Sequence, residues 1–215
     1  MTPLSAVILA GGRSRRMGAD KAFLDLGGQT LIERAVARLG RLSDDVIVVT
    51  NEPERFARLG ARLVGDVLPG KGALGGVYSG LRAARHAAAV VVACDMPYLN
   101  AGLLRYMAGL LEGYDAVVPQ GSTGRAGGER PDQAAVKAKE IDLHPLHAVY
   151  AATCLGAIEA AIARGDLRTM AFFDDVRVRI VGGDEIDRFD PQRLSIWNVN
   201  TPEEWQTARS LAGGT

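Results

Sequence analysis

Arg13, Arg15 and Arg16 fall within four residues of one another, and Lys21 follows five residues after the last of them. Fixed positive charge at that density is costly unless an anion compensates it, so the pattern points to a phosphate-bearing ligand. Gly11 and Gly12 precede the cluster, where they let the backbone turn sharply and bring its N–H groups close to such a ligand. Ahead of them, Val7-Ile8-Leu9 reads as the end of a buried strand. Neither common phosphate loop is present. A Walker loop needs lysine and then Ser/Thr after its second glycine, whereas Gly18 is followed by Ala19 and Asp20. A dinucleotide fingerprint needs Gly-x-Gly-x-x-Gly opening directly into a helix. The alternative to an anion site is a surface turn with solvated arginines.

Two aspartates also close apolar runs. Asp95 follows Val90-Val91-Val92-Ala93-Cys94, and with phosphates opposite it a carboxylate suits a hard divalent cation. The alternative for Asp95 is capping of the next turn. Asp66 opens a loop that runs through Pro69-Gly70-Lys71-Gly72 to Gly75-Gly76, and aspartate before a turn is commonplace. His144 and His147 are three apart, but no carboxylate or cysteine completes a zinc set around them.

The elements that must position these residues can be read from hydrophobic periodicity. Apolar runs predict strands over residues 4–10, 46–49, 61–64, 90–94 and 116–118, and alternation over 176–181 predicts an edge strand. Helical spacing predicts helices over 29–42, 77–88, 100–111 and 153–163, and Thr201-Pro202 with Glu204 forms a capping box that opens the last one. Strands that are apolar on both faces and alternate with helices predict an α/β fold: three layers, with a mostly parallel central sheet covered on each side. Ligands in such sheets sit beyond the carboxyl ends of the strands, which turns the three loops into one site. Asn198 and Asn200 flank Val199 on an extended segment and are expected to face opposite ways, so that only one enters the cleft.

At 215 residues the chain fits one domain, 1–215, with a glycine-rich insertion at about 120–143 expected to be mobile rather than a lid. The formal net charge is zero, which argues against a nucleic-acid partner. The two cysteines, Cys94 and Cys154, show no metal spacing and suggest a reduced, cytoplasmic protein. The sequence predicts neither a membrane span nor an export signal.

The run Leu9-Ala10-Gly11-Gly12-x-Ser14-x-Arg16-Met17-Gly18-x-Asp20-Lys21 resembles the signature of nucleotidyltransferases that activate a small phosphorylated molecule with a nucleoside triphosphate. Within them it is most similar to the molybdenum cofactor guanylyltransferases, whose double glycine is matched by Gly11-Gly12. Cys94-Asp95-Met96-Pro97 resembles that family's metal-binding segment. Gly72 to Gly76 resembles its Gly-Pro-Leu-x-Gly loop, with Ala73 where proline is usual. Pro145-Leu146-His147-Ala148-Val149-Tyr150 resembles the segment on the pterin side, Arg168 matches an arginine before an aromatic helix, and Asn198-Val199-Asn200-Thr201-Pro202-Glu203 resembles the C-terminal signature. The resemblance runs from residue 6 to about 205, with gaps at 120–143 and 176–195.

The resemblance implies a Rossmann-like nucleotidyltransferase fold. It also implies transfer of GMP from GTP to the terminal phosphate of molybdopterin, with or without molybdenum, giving the guanine dinucleotide cofactor and pyrophosphate. By the same resemblance, Leu9, Ala10 and Gly11 would contact guanine and ribose from the main chain, and Asp66 would help bind the nucleotide. His147, Arg168, Asn198 and Asn200 would face the second substrate or the cleft. The attacking phosphate is already an anion, so catalysis is positioning plus charge neutralisation and needs no general base. Gly11 and Gly12 with Arg13 and Arg16 would grip the β- and γ-phosphates, and Lys21 would stabilise the α-phosphate. Mg²⁺, or Mn²⁺ in its place, would sit on Asp95. Lys21, Asp95 and Arg16 are thus the expected catalytic set. The expected partners are GTP and molybdopterin, with transient contacts to other cofactor-synthesis proteins and a monomeric or weakly oligomeric state. The alternatives are a cytidylyltransferase or another small-phosphate nucleotidyltransferase, and a non-catalytic module that binds nucleotide without releasing pyrophosphate.

Overall fold

The computed structural model of the chain describes residues 3–11, 20–121 and 142–213. Most of the stretch expected to be a mobile insertion, and the basic cluster itself, therefore lie outside the described residues.

Among the described residues, seven strands form one sheet in the order β3-β2-β1-β4-β6-β5-β7. They are β1 Ser5–Leu9, β2 Asp45–Val49, β3 Arg62–Val64, β4 Ala88–Ala93, β5 Ala116–Pro119, β6 His147–Ala151 and β7 Val178–Val181. β1 and β4 are buried along their whole length, as strands covered on both faces must be. β4 lies at the centre of the order and β7 at an edge, as the apolar pattern predicted. β6 runs against its neighbours β4 and β5, and the remaining pairs are parallel. β6 is not among the strands that apolar runs predict, since His147 and Tyr150 interrupt its apolar pattern, yet four of its five residues are buried.

Helices cover both faces. Val7 and Leu9 of β1 point into one layer with α2 (Gly72–Ala83), α4 (Cys154–Ala163) and the Phe172-Phe173 pair. Ala6 and Ile8 point into the other, with α1 (Leu31–Leu39), α3 (Ala101–Gly109) and Ile186 of the short α5 (Gly183–Asp187). A third cluster docks α6 (Pro202–Gly213) through Leu26, Leu31, Val199 and Ala208. The caps follow the sequence. Thr30 and Glu33 close a capping box on α1, the Asn100 side chain accepts from Gly102 N and Leu103 N, and Thr201 with Glu204 caps α6.

One helix departs from the prediction. α2 begins at Gly72, five residues before the predicted start, and ends at Ala83 rather than Ala88. Glycine is a poor helix former, so the run Gly75-Gly76 read as loop. Packing overrides propensity here: a Cβ on Gly80 would lie 2.3 Å from Val7 Cγ1, and one on Gly76 3.3 Å from Leu9 Cδ2. These glycines, one helical turn apart, seat α2 directly on β1 and bring its N-terminus to the strand ends.

Candidate active site

Register builds the site. Leu9 pairs with Val49 on one side and with Ala93 on the other, so three parallel strands end level. The chain that follows each strand is tied to its neighbour: Ala10 N donates to Val49 O at 3.0 Å and Cys94 N to Leu9 O at 3.2 Å. Ala10-Gly11, Thr50-Asn51 and Cys94-Asp95 consequently leave the sheet along one rim and line a cleft of ≈ 640 Å³. β6 contributes from the opposite direction. Ala93 N donates to Leu146 O at 3.0 Å, and Leu146 completes the floor.

Lys21 enters this cleft from a single 3₁₀ turn, Lys21–Phe23, capped by the Asp20 side chain. Its ammonium donates to Asp95 Oδ2 at 3.2 Å and to Asn200 Oδ1 at 2.8 Å. Neither Lys21 nor Asp95 is freely solvated, with side chains 13% and 17% exposed. Asp95 Oδ1 and Asn198 Oδ1 are both buried, and neither has a hydrogen-bond partner among the described residues. The Asp95 carboxylate is thus turned to Lys21 rather than to the turn that follows it, and Asn100 caps α3 further on. The segment bearing the two asparagines is held to the end of β4 by Val199 N, which donates to Asp95 O at 3.0 Å. Among the described residues no three His, Cys, Asp or Glu side chains cluster as a metal site, so an ion here would take mixed oxygen ligands.

On the other wall, Gly72, Ala73 and Gly76 bring the N-terminal turn of α2 to the cleft, where its free N–H groups favour an anion. Asp66 lines the same wall. Its Oδ1 accepts from Leu68 N at 2.9 Å and Ser79 Oγ at 2.8 Å, so it shapes the turn and borders the cleft at once. Its backbone N–H donates to Asn51 Oδ1 at 3.0 Å, which leaves the Asn51 amide nitrogen to act as donor.

The structure thus brings together Leu9, Ala10, Gly11, Lys21, Asp66, Asp95, Asn198 and Asn200. Gly12, Arg13 and Arg16 lie outside the described residues. The expectation that only one asparagine faces inward is corrected: both line the cleft. Side chains two residues apart on an extended chain share a face, which is why the two asparagines enter together. His147 does not join the site. It is fully buried beside Val92 within the sheet, neither ring nitrogen has a partner among the described residues, and burial pushes its pKa down to about 3. Arg168 does not join it either; its guanidinium is exposed and paired with Asp166. Cys94 lines the cleft as a neutral thiol, pushed up to about 12 by burial and then by the Asp95 charge. Thr50, Asn51, Asp20 and Leu146 are cleft residues that sequence reasoning passed over. The signal for Thr50 and Asn51 was available, because they follow a parallel strand at its carboxyl end.

Residues 6–178 match the MobA-like NTP transferase domain. The chain is 36% identical over 212 residues to a probable molybdenum cofactor guanylyltransferase of Pelotomaculum thermopropionicum, covering 99% of this chain and 95% of that protein. It is 33% identical over 212 residues to the molybdenum cofactor guanylyltransferase of Desulfosudis oleivorans, covering 98% and 96%. The crystal structure of molybdopterin-guanine dinucleotide biosynthesis protein A from Archaeoglobus fulgidus shares the fold, with a TM-score of 0.79 at 23% identity over 99% of this chain and 100% of that one.

Proposed function

Because this chain belongs to the MobA-like NTP transferase family, we propose that it transfers GMP from GTP to the terminal phosphate of molybdopterin and releases pyrophosphate. The observation that carries the reading is the Lys21 ammonium fixed between Asp95 and Asn200 at the rim of the sheet. A binding module needs neither a poised lysine nor a carboxylate with an unused oxygen beside it.

A new P–O bond forms between the molybdopterin phosphate and the α-phosphorus of GTP as the bond to pyrophosphate breaks. The attacking oxygen is already anionic, so no proton has to be removed. The barrier lies in bringing two anions together, and the residues of the cleft act on that barrier. The main chain at Leu9, Ala10 and Gly11 faces the nucleoside, with Asn51 and Asp66 across from it. Arg13 and Arg16, assigned from the sequence, neutralise the β- and γ-phosphates, and Gly12 offers them its backbone N–H. The N-terminal turn of α2 adds N–H donors. Lys21 supplies point charge at the α-phosphate, and Asp95 with Asn200 fixes where that charge stands.

The two orphaned oxygens, Asp95 Oδ1 and Asn198 Oδ1, fit a hard divalent cation, and Mg²⁺ is the ion proposed. Bound there, it would supply Lewis-acid polarisation of phosphate oxygens.

The test is pyrophosphate release with molybdopterin as acceptor and GTP, CTP, ATP or UTP as donor, with and without Mg²⁺. Release specific to GTP and dependent on Mg²⁺ is expected. Release with CTP at an equal or higher rate overturns the guanylyl assignment, and nucleotide binding without release overturns the enzyme.

A further inference from the structure

Arg55 does not line the cleft, yet it holds both flanks of the turn that carries Lys21. That turn is one 3₁₀ unit of three residues, too short to fix its own direction. On its leading side, Asp20 accepts from Ala22 N at 3.1 Å and meets Arg55 Nη1 at 2.7 Å. On its trailing side, the Phe23 ring lies 4.6 Å from Arg55 Cζ and packs on Phe56 at 5.1 Å. Arg55 is itself anchored by Glu52 Oε2 at 2.6 Å and by the turn Pro53–Phe56. That turn continues the chain from Thr50 and Asn51, which line the cleft.

An isolated ion pair at this exposure adds little to stability, since the Arg55 side chain is 43% exposed. Direction is a separate matter. Lysine carries its charge on a flexible stem, and misplacing a reacting group by about 1 Å can cost on the order of 100-fold in rate. A planar guanidinium can pair with a carboxylate and stack on a ring at the same time, which an ammonium cannot.

We propose that Arg55 is the positioning residue for Lys21: through Asp20 and Phe23 it sets the turn that aims the ammonium at Asp95 and Asn200. The proposal rests on the role of Lys21 given above.

The experiment is a double-mutant cycle on the whole chain, with kcat, KM for GTP and thermal melting measured for wild type, Arg55→Ala, Arg55→Lys, Lys21→Ala and the Arg55→Ala/Lys21→Ala pair. Arg55→Ala is expected to lower kcat roughly five- to tenfold while KM for GTP stays within about twofold and the melting temperature within about 2 °C. Arg55→Lys should fall in between, keeping the ion pair and losing the planar group stacked on Phe23. In the Lys21→Ala background, Arg55→Ala should have no further effect on kcat. Equal fold-losses in both backgrounds, or an unchanged kcat in Arg55→Ala beside a slow Lys21→Ala, overturn the role of Arg55 alone. Full activity of Lys21→Ala overturns the reading of Lys21 and this proposal with it.

Discussion

Lys21 and Asp95 are 74 residues apart in sequence and 3.2 Å apart in space. The parallel pairing of Leu9 with Ala93 sets the distance, because Asp95 stands two residues beyond one strand end and the turn bearing Lys21 lies beyond the other. Asn200, 179 residues from Lys21, closes the contact from the far end of the chain. Removing Asp95 and removing Lys21 thus have separate consequences.

Asp95→Ala takes away the Lys21 counter-charge and one of the two unpartnered oxygens. Transfer should fall by at least about 100-fold, in line with the loss of a group that acts on developing charge. The protein should stay folded, since Val199 N is held by the Asp95 main chain rather than its carboxylate. Pyrophosphate release at saturating Mg²⁺, read beside circular dichroism, checks both halves. Magnesium-dependent activity close to wild type would take Asp95 out of the metal role.

Lys21→Ala should lower kcat by more than about tenfold, about 1.4 kcal/mol of transition-state stabilisation, with a smaller change in KM for GTP. Lys21→Arg should recover little of it. The bulkier planar guanidinium does not reproduce a compact charge shared between Asp95 Oδ2 and Asn200 Oδ1. Steady-state kinetics of the two variants is the check, and an unchanged kcat in Lys21→Ala would make the residue a bystander.

Gly80→Ala forces a methyl group to within 2.3 Å of Val7 Cγ1, so α2 must shift off β1. Overpacking of this kind costs about 1–3 kcal/mol, which for a chain of this length lowers the melting temperature by roughly 3–10 °C. Gly76→Ala, facing Leu9 at 3.3 Å, should cost less. Differential scanning calorimetry ranks the two, and the reverse order would contradict the packing argument.

His147 makes stability depend on pH. Burial keeps its ring neutral in the folded protein down to about 3, while in the unfolded chain it takes up a proton near 6.5. Between those values the unfolded state holds the extra proton, so stability falls as pH drops below 6.5 and stops falling on this account near 3. The slope approaches about 1.4 kcal/mol per pH unit. His144, also lowered by burial, acts in the same direction. Asp115 acts in the same direction over a lower window: hydrogen bonding to Arg177 holds its carboxyl down to about 2 against the ordinary 3.8, so its stabilisation is lost as pH falls from 3.8 to about 2. His147→Leu should therefore flatten urea-unfolding stability between pH 6.5 and 5. An unaltered slope would show that the ring is protonated or solvated in the folded state.

The amino-acid sequence by itself determined the kind of site and most of what carries it. A glycine turn after an apolar strand, a lysine behind it, and an aspartate at the end of the most apolar run are local patterns. Their chemistry follows from side-chain type and from the rule that parallel sheets bind at their carboxyl ends. Only the tertiary structure decided which of these side chains meet. Register placed Leu9 level with Val49 and Ala93, and so brought Thr50 and Asn51 to the cleft without any motif to announce them. The direction of β6 was illegible, because a strand buried on both faces carries the same apolar pattern whichever way it runs. That direction puts Leu146 at the cleft floor and buries His147 one residue on, although the two are adjacent in one recognisable segment. The glycines of α2 show the same division. Their composition suggests a loop, and the 2.3 Å that a Cβ on Gly80 would leave to Val7 explains why a helix needs them there. Side-chain chemistry is local and survives reading one residue at a time, whereas pairing depends on long-range packing that no single stretch contains.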